Sequence, residues 1–252
     1  MDKKIGILGY GEIGYGIGEF YVSPIQVKDK KKLGSVILKN NIKVEDFSSD
    51  LDVLHVCIPW SKGFIEIVKR EIEESKAKLV FIHSTVKPGT IIQLGDNVVH
   101  APNRSSHPDI YKQMKAFVQY VGFDNEKIGI EAGKYLEQEF GLKVKLVKNS
   151  INTELGKLLS TTYYGLCIAY HGEMQRLCDE YNADFDAVAT DFNYTYNQGY
   201  AKLDKFHFIR PTLYPPKGGI GGTCVVPNCE ILKEFFDSKA LDLVLEYKVK
   251  KE

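Results

Sequence analysis

Three groups of residues have the types and spacing to do chemistry. The stretch "KGGIGGTCVVPNC", Lys217 to Cys229, sets four glycines within five positions ahead of Cys224. Glycine allows close approach and backbone angles that other residues avoid, so this run can present a nucleophilic thiolate in a cleft. It can equally be a turn leading a small thiol into the core, since free cysteines are among the most buried residues. Near the start, "LGYGEIG" places Gly9, Gly11 and Gly14 in GxGxxG spacing, answered by Asp29 20 residues after Gly9. That pattern suits a dinucleotide: Gly9 makes the tight turn, Gly11 lets a pyrophosphate reach the backbone at a helix N-terminus, and Gly14 lets helix and strand pack closely. Asp29 would accept hydrogen bonds from the adenosine ribose and repel a 2′-phosphate, which favours NAD over NADP. Lys28, Lys30, Lys31 and Lys32 around it can neutralise such a phosphate, or form a solvated charge run. The third group is Glu154, Lys157 and Thr161, spaced to share one helix face; the plain reading of the first two is an exposed ion pair.

The elements that must position these residues follow from the hydrophobic pattern. Ile5 to Leu8 reads as a buried strand entering the glycine turn, and "DVLHVCIP" (52–59), "KLVFIHS" (78–84), "NVVHAP" (97–102), "FVQYVGF" (117–123) and "LKVKLV" (142–147) read as further strands. Helix-like segments lie between most of them. Alternation of this kind predicts an α/β fold with a doubly wound, mostly parallel sheet of Rossmann type. Ligands in such sheets bind beyond the carboxyl ends of the strands, so Gly9, Pro59, Trp60, Ser84 and Thr85 should gather at one crevice. The expected division is a dinucleotide-binding domain over 1–150 and a helical domain over 151–252, the latter with one long helix at about 153–181 and a thiol loop at 211–228. The middle of the long helix, "TYYGLCIAY", is apolar nearly all round. A subunit interface would explain that, as would burial under the C-terminal helices. A second helical segment, "DFDAVATDFNYTYNQGY", and one last helix from Cys229 to the end of the chain complete the reading.

The 252 residues can bury a sizeable core. Lys plus Arg and Asp plus Glu balance at 33 each, which gives no electrostatic reason to expect nucleic acid or an anionic membrane as partner. A small-molecule substrate is the expectation. The five cysteines form no CxxC pair and suit a reducing cytoplasm, and no apolar run approaches the roughly 20 residues of a membrane helix. No metal site is expected.

Taken together, the motifs resemble the UDP-glucose/GDP-mannose 6-dehydrogenase family in a short form. The resemblance rests on "GYGEIG" with Asp29, "HSTVKPGT" (83–90), "TELGKLLSTTYYGLCIAYHGE" (153–173) and "GGIGGTC", in the family's own order along residues 3 to about 230. It implies NAD as cofactor, with Gly9, Gly11, Glu12, Ile13, Gly14, Asp29, Pro59 and Thr85 lining it. It implies a substrate such as a nucleotide sugar, and a homodimer through the long helix. It also implies roles: Cys224 as nucleophile, Lys157 as the lysine that stabilises charge on the substrate oxygen, and Thr85 as the active-site threonine. The family oxidises a sugar primary alcohol twice, through a thiohemiacetal and a thioester that water releases as the acid.

Several positions depart from the family. Asn228 stands where the family has aspartate, Thr161 where it has asparagine, and Gly172-Glu173 where it has Asn-Glu. In place of a glutamate-bearing segment the chain reads Pro102-Asn103-Arg104-Ser105-Ser106-His107. His107 falls in the second glutamate's place; it can serve as the general base at neutral pH or be a solvated loop histidine. Family members also continue into a further nucleotide-sugar-binding domain. Two other readings stay open: a two-electron β-hydroxyacid-type dehydrogenase that uses Lys157 without a cysteine, and a non-catalytic NAD-binding protein.

Overall fold

The structure is a computed structural model that describes residues 3–30, 41–105 and 109–249. Among these, eight strands form one sheet in the order β3-β2-β1-β4-β5-β6-β7-β8. They are β1 (Ile5–Leu8), β2 (Gln26–Lys28), β3 (Ile42–Lys43), β4 (Val53–Val56), β5 (Leu79–Ile82), β6 (Val98–His100), β7 (Gln119–Phe123) and β8 (Val144–Lys148). All neighbours run parallel except β6 and β7, which pair antiparallel at His100 and Gly122. The first six strands have the doubly wound order of a dinucleotide-binding sheet, with its reversal between β1 and β4.

Alternation along each strand divides the core between two faces. Ile7, Val53, Phe81 and Val99 join one buried cluster, while Leu8, Leu54, Val56, Val80, Ile82 and Val98 join the other. Helices cover these faces: α1 (Glu12–Gly18), α2 (Phe64–Ser75), α3 (Thr90–Leu94), α4 (Ile110–Ala116) and α5 (Glu126–Phe140). Helix α5 begins at an Asn125 cap and stops at Gly141, whose φ of 65° lies in the left-handed region that glycine takes without strain.

The chain divides into two compact units, 1–157 and 158–252, and the division falls inside helix α6 (Ile151–Glu180). In the second unit α6 is followed by a π-helical stretch at Asp186–Asp191, then α7 (Phe192–Lys202), a 3-10 turn at Phe206–Phe208, α8 (Val225–Lys233) and α9 (Lys239–Glu246). The single last helix expected from Cys229 onward is therefore wrong on two counts. It starts earlier, at Val225, so residues 225–228 belong to a helix and not to the loop. It also breaks at Ser238, whose extended backbone and hydroxyl, accepting from the Ala240 N–H, start a separate helix. Lys233 spans the break, bonding Asp237 and Asp242 at 2.5 Å each.

One face of α6 is buried at Leu158, Thr162, Gly165 and Ala169, while Leu159, Tyr163, Tyr170 and Leu177 are exposed. A β-carbon on Gly165 would stand 2.4 Å from a Val225 methyl and 3.3 Å from one of Val244. The C-terminal helices thus cover α6 at Gly165.

Candidate active site

In the first unit the glycine turn is built by mutual exclusion of side chains. Gly9 has φ 87°, and a β-carbon there would lie 2.8 to 2.9 Å from Ile58 and the Cys57 carbonyl carbon. A β-carbon on Gly14 would lie 2.0 Å from the Gly9 oxygen. Neither position can carry a side chain without moving the backbone. Gly11 differs: nothing lies within 4 Å of the place its β-carbon would occupy. The turn therefore packs tightly on its protein side and is open at Gly11, which fits a phosphate ligand approaching the backbone. Asp29 sits at the end of β2 and its Oδ2 accepts the Tyr10 N–H at 2.6 Å, so the carboxylate is fixed beside the turn. Glu12 is exposed and Ile13 half-buried at the start of α1.

The ends of β4 and β5 are tied together next to this turn. The Cys57 N–H donates to Leu8 O at 2.7 Å, and the Ser84 hydroxyl donates to Ile58 O at 2.6 Å. These bonds hold Pro59, which is exposed, and Thr85, which is half-buried, at the carboxyl ends of adjacent strands. Desolvation pushes the half-buried Cys57 thiol above the ordinary thiol range.

The turn after Thr85 is fastened to α6. Glu154 is fully buried, and its carboxylate accepts the Gly89 N–H at 2.6 Å and the Ile91 N–H at 2.9 Å, satisfying donors at the start of α3. This overturns the reading of Glu154 as half of an exposed ion pair. Burial raises its pKa, opposed by the backbone bonds from Ile91, Gly89 and Thr90. Lys157 is half-buried one turn further along α6. His100, at the end of β6, donates from Nε2 to Ser84 O at 3.2 Å and accepts the Thr153 hydroxyl on Nδ1 at 2.9 Å. Burial lowers its pKa to about 3, opposed by the bond to Ser84 O, and the nearby Lys157 charge pushes it down further. Sequence reading missed both Glu154's role and His100; their partners lie 65 and 53 residues away, beyond any local pattern.

Under the sheet runs a polar chain that periodicity could not reveal. His83 Nδ1–H donates to Ala101 O at 2.9 Å, so neutral His83 accepts on Nε2 from His55 Nδ1–H at 2.9 Å. His55 Nε2 then accepts the Tyr21 hydroxyl at 2.6 Å, and Tyr21 accepts from Tyr135 at 2.7 Å. Burial holds His55 well below the usual histidine range and takes His83 to about 4.

The segment where the resemblance calls for glutamate is turned on itself. Asn103 is buried, its N–H donates to His83 O, and its Oδ1 accepts the Ser105 N–H at 3.1 Å. An amide in this position has no proton to exchange as a base. His107 lies outside the described residues.

In the second unit Cys224 is the residue that precedes α8, half-buried, with the Thr223 hydroxyl 3.8 Å from its sulfur. It is neither a core thiol nor a fully exposed one. Cys229, one turn later, is fully buried, and desolvation pushes its thiol up to about 11. Asn228 lies in the first turn of α8, four residues after Cys224, and is buried; its Nδ2 has no hydrogen-bond partner among the described residues. Thr161 is half-buried on α6. Gly172, which departs from the family's asparagine, is filled by the ring of Tyr247, 2.3 Å from where a β-carbon would stand. Among the described residues no group of three His, Cys, Asp or Glu side chains is placed to hold a metal ion, and no helix is long and apolar enough to cross a membrane.

No family profile matches the chain. A UDP-N-acetyl-D-mannosamine dehydrogenase of Methanococcus vannielii is 24% identical over 246 residues, covering 86% of this chain and 54% of that protein. The chain is thus similar in sequence to UDP-N-acetyl-D-mannosamine dehydrogenases. It spans about half the length of the curated relatives it matches. Among solved structures, the UDP-D-ManNAc dehydrogenase of Pyrococcus horikoshii superposes with a TM-score of 0.79 at 19% identity, over 97% of this chain and 68% of that one. A 3-hydroxyisobutyrate dehydrogenase of Mycobacterium tuberculosis superposes with a TM-score of 0.67 at 12% identity, over 98% and 92%. The two likenesses establish a Rossmann-type dehydrogenase fold, shared by UDP-sugar dehydrogenases and a hydroxyacid dehydrogenase of similar length.

Proposed function

We propose that this chain is a nicotinamide-dependent dehydrogenase that oxidises a CH–OH group of a nucleotide sugar, with UDP-N-acetyl-D-mannosamine the first substrate to test. The observation that carries this reading is the glycine turn, packed at Gly9 and Gly14, open at Gly11 and flanked by the fixed Asp29 carboxylate. The sequence relatives named UDP-N-acetyl-D-mannosamine dehydrogenase support the substrate class. Gly9, Gly11, Glu12, Ile13, Gly14 and Asp29 would hold the dinucleotide, with Pro59 and Thr85 bordering it. The Asp29 carboxylate favours NAD over NADP, because a 2′-phosphate brought beside it would place two anions in contact.

When bound, the nicotinamide accepts hydride. Lys157 is assigned the charge that developing oxyanions need, and Cys224 the nucleophile. Oxidation of the alcohol gives an aldehyde, a proton and reduced cofactor. The Cys224 thiolate would add to the aldehyde carbon and, with one proton taken up, give a thiohemiacetal; this would lose its hydroxyl proton and pass a hydride to a second oxidised dinucleotide to give a thioester, and water would displace the Cys224 thiolate to release the acid. Thr85, Thr161 and Asn228 are assigned to substrate hydrogen bonding, and His107 to the base in the hydrolytic step.

A second reading is favoured by two amides: Asn103 and Asn228 stand where carboxylates would act. In that reading Lys157 supports one hydride transfer and the product is a carbonyl compound, with no thioester. Product stoichiometry separates the two. Two NADH per acid, with acid lost in Cys224→Ala, supports the thiol route; one NADH per carbonyl product, unchanged in Cys224→Ala, supports the second. NAD binding with no turnover on any alcohol would leave a non-catalytic dinucleotide-binding protein. The exposed Leu159, Tyr163, Tyr170 and Leu177 on α6 support a homodimer through this helix, which sedimentation would read as twice the chain mass. All five cysteines are free, which suits a cytoplasmic setting.

A further inference from the structure

The glycine-rich loop before Cys224 is clasped by residues 247–249. The Ile220 N–H donates to Tyr247 O at 2.6 Å, and the Val249 N–H donates to Ile220 O at 3.2 Å, a parallel bridge one residue deep. Gly219, with φ 107°, lies so close that a β-carbon would stand 2.8 Å from Tyr247 O and 3.0 Å from the Val249 nitrogen. Tyr247 is itself seated on α6. Its ring fills the place a side chain at Gly172 would need, and its hydroxyl donates to Glu173 Oε1 at 2.7 Å. That bond, with Arg176 adding to it, holds the Glu173 carboxyl below its ordinary pKa. The upstream end of the loop is held as well, where the Leu213 N–H donates to His171 Nε2 at 3.3 Å while His171 Nδ1 bonds Cys167 O.

We propose that Tyr247 is a positioning residue for Cys224: seated on Gly172 and Glu173, it clamps Ile220 and so fixes the loop that delivers the thiol to the start of α8. The two observations that meet here are independent. One is a backbone bridge that only a close strand can make, and the other is a glycine in the middle of a long helix, where glycine is otherwise unfavourable. Gly172 is explained by the ring it admits. The inference deepens the reading of Cys224 as the reactive thiol and rests on it for its functional meaning.

The test is peptide-resolved alkylation of the native protein with iodoacetamide, comparing wild type with Tyr247→Phe and Gly172→Ala. Tyr247→Phe keeps the ring and removes the bond to Glu173; Gly172→Ala improves helix propensity while displacing the ring. Each should speed labelling of Cys224 about five-fold, the factor corresponding to one net hydrogen bond. Cys167, Cys178 and Cys229 should keep their rates, and the Ile220 amide should lose protection from hydrogen exchange. Unchanged or slower Cys224 labelling in both variants overturns the proposal, as does an equal rise at all the cysteines, which would mean global loosening. Turnover of Cys224→Ala reports the chemistry separately, so a non-catalytic Cys224 and a non-functional clasp give different results.

Discussion

The Glu154 carboxylate accepts the backbone N–H of Gly89 at 2.6 Å, so the helix that carries Lys157 also fastens the turn that follows Thr85. With the Ile91 bond at 2.9 Å, one buried side chain satisfies two donors that α3 cannot satisfy itself. Glu154→Ala leaves both N–H groups buried and unpaired, which costs about 2–3 kcal/mol. Urea unfolding should show this as a lower midpoint. Glu154→Gln, which keeps one acceptor oxygen but turns an NH2 toward the backbone donors, should fall between the two.

The glycines of the first turn should separate stability from binding. Gly14→Ala forces a β-carbon against the Gly9 oxygen and should destabilise the protein by about 1–3 kcal/mol, the usual cost of overpacking. Gly11→Val enters open space, so its stability should stay within about 0.5 kcal/mol of wild type. Calorimetric titration should nevertheless show NAD binding lost in Gly11→Val, because the valine would fill the open space proposed for the pyrophosphate.

The Asp29 carboxylate, held beside the glycine turn by the Tyr10 N–H, should set the preference between NAD and NADP. Asp29→Asn retains an oxygen for the Tyr10 N–H but removes the charge that opposes a 2′-phosphate. The ratio of NAD to NADP affinity should fall by about ten-fold, a change of roughly 1.4 kcal/mol. Binding isotherms for both dinucleotides on wild type and variant measure it. An unchanged ratio would assign the preference elsewhere.

The buried histidines should make the fold sensitive to acid. His55, His83 and His100 all have folded-state pKa values lowered by burial, with His83 at about 4 and His100 at about 3. The unfolded chain therefore takes up protons first. Stability is full above about pH 6.5, the unfolded histidine value, and falls as pH drops below it toward the folded values. Each group contributes up to about 1.4 kcal/mol per pH unit in that window. Urea midpoints should drop steeply between pH 6.5 and 5, and His55→Leu should reduce the slope by roughly one proton's share.

The sheet was legible because buried parallel strands read as short apolar runs bounded by turns, and 53–56, 79–82 and 119–123 lie inside the segments expected. Helix α6 was legible from its spacing, within two residues at each end. The break at Ser238 was not anticipated, although a serine ahead of "KALDLVLE" is a helix-start signal; the apolar pattern on both sides masked it. Likewise Pro227 in the first turn of α8 marks a helix start, yet "CVVPN" was read as loop. The glycine turn was legible because its geometry is local in sequence, from Gly9 to Gly14. The rest was not legible where partners are distant: nothing near Glu154 points to Gly89, and nothing near Gly172 points to Tyr247.

Hydride transfer from a nucleotide sugar to a dinucleotide at the glycine turn is the proposed reaction. The most direct measurement is the NADH absorbance of the purified protein mixed with NAD and UDP-N-acetyl-D-mannosamine, with Gly11→Val run alongside. A substrate-dependent rise is expected in the wild type, and Gly11→Val should abolish it. A wild-type protein that forms no NADH from this or any other nucleotide sugar, or a Gly11→Val variant that forms it at the wild-type rate, would contradict the proposed reaction.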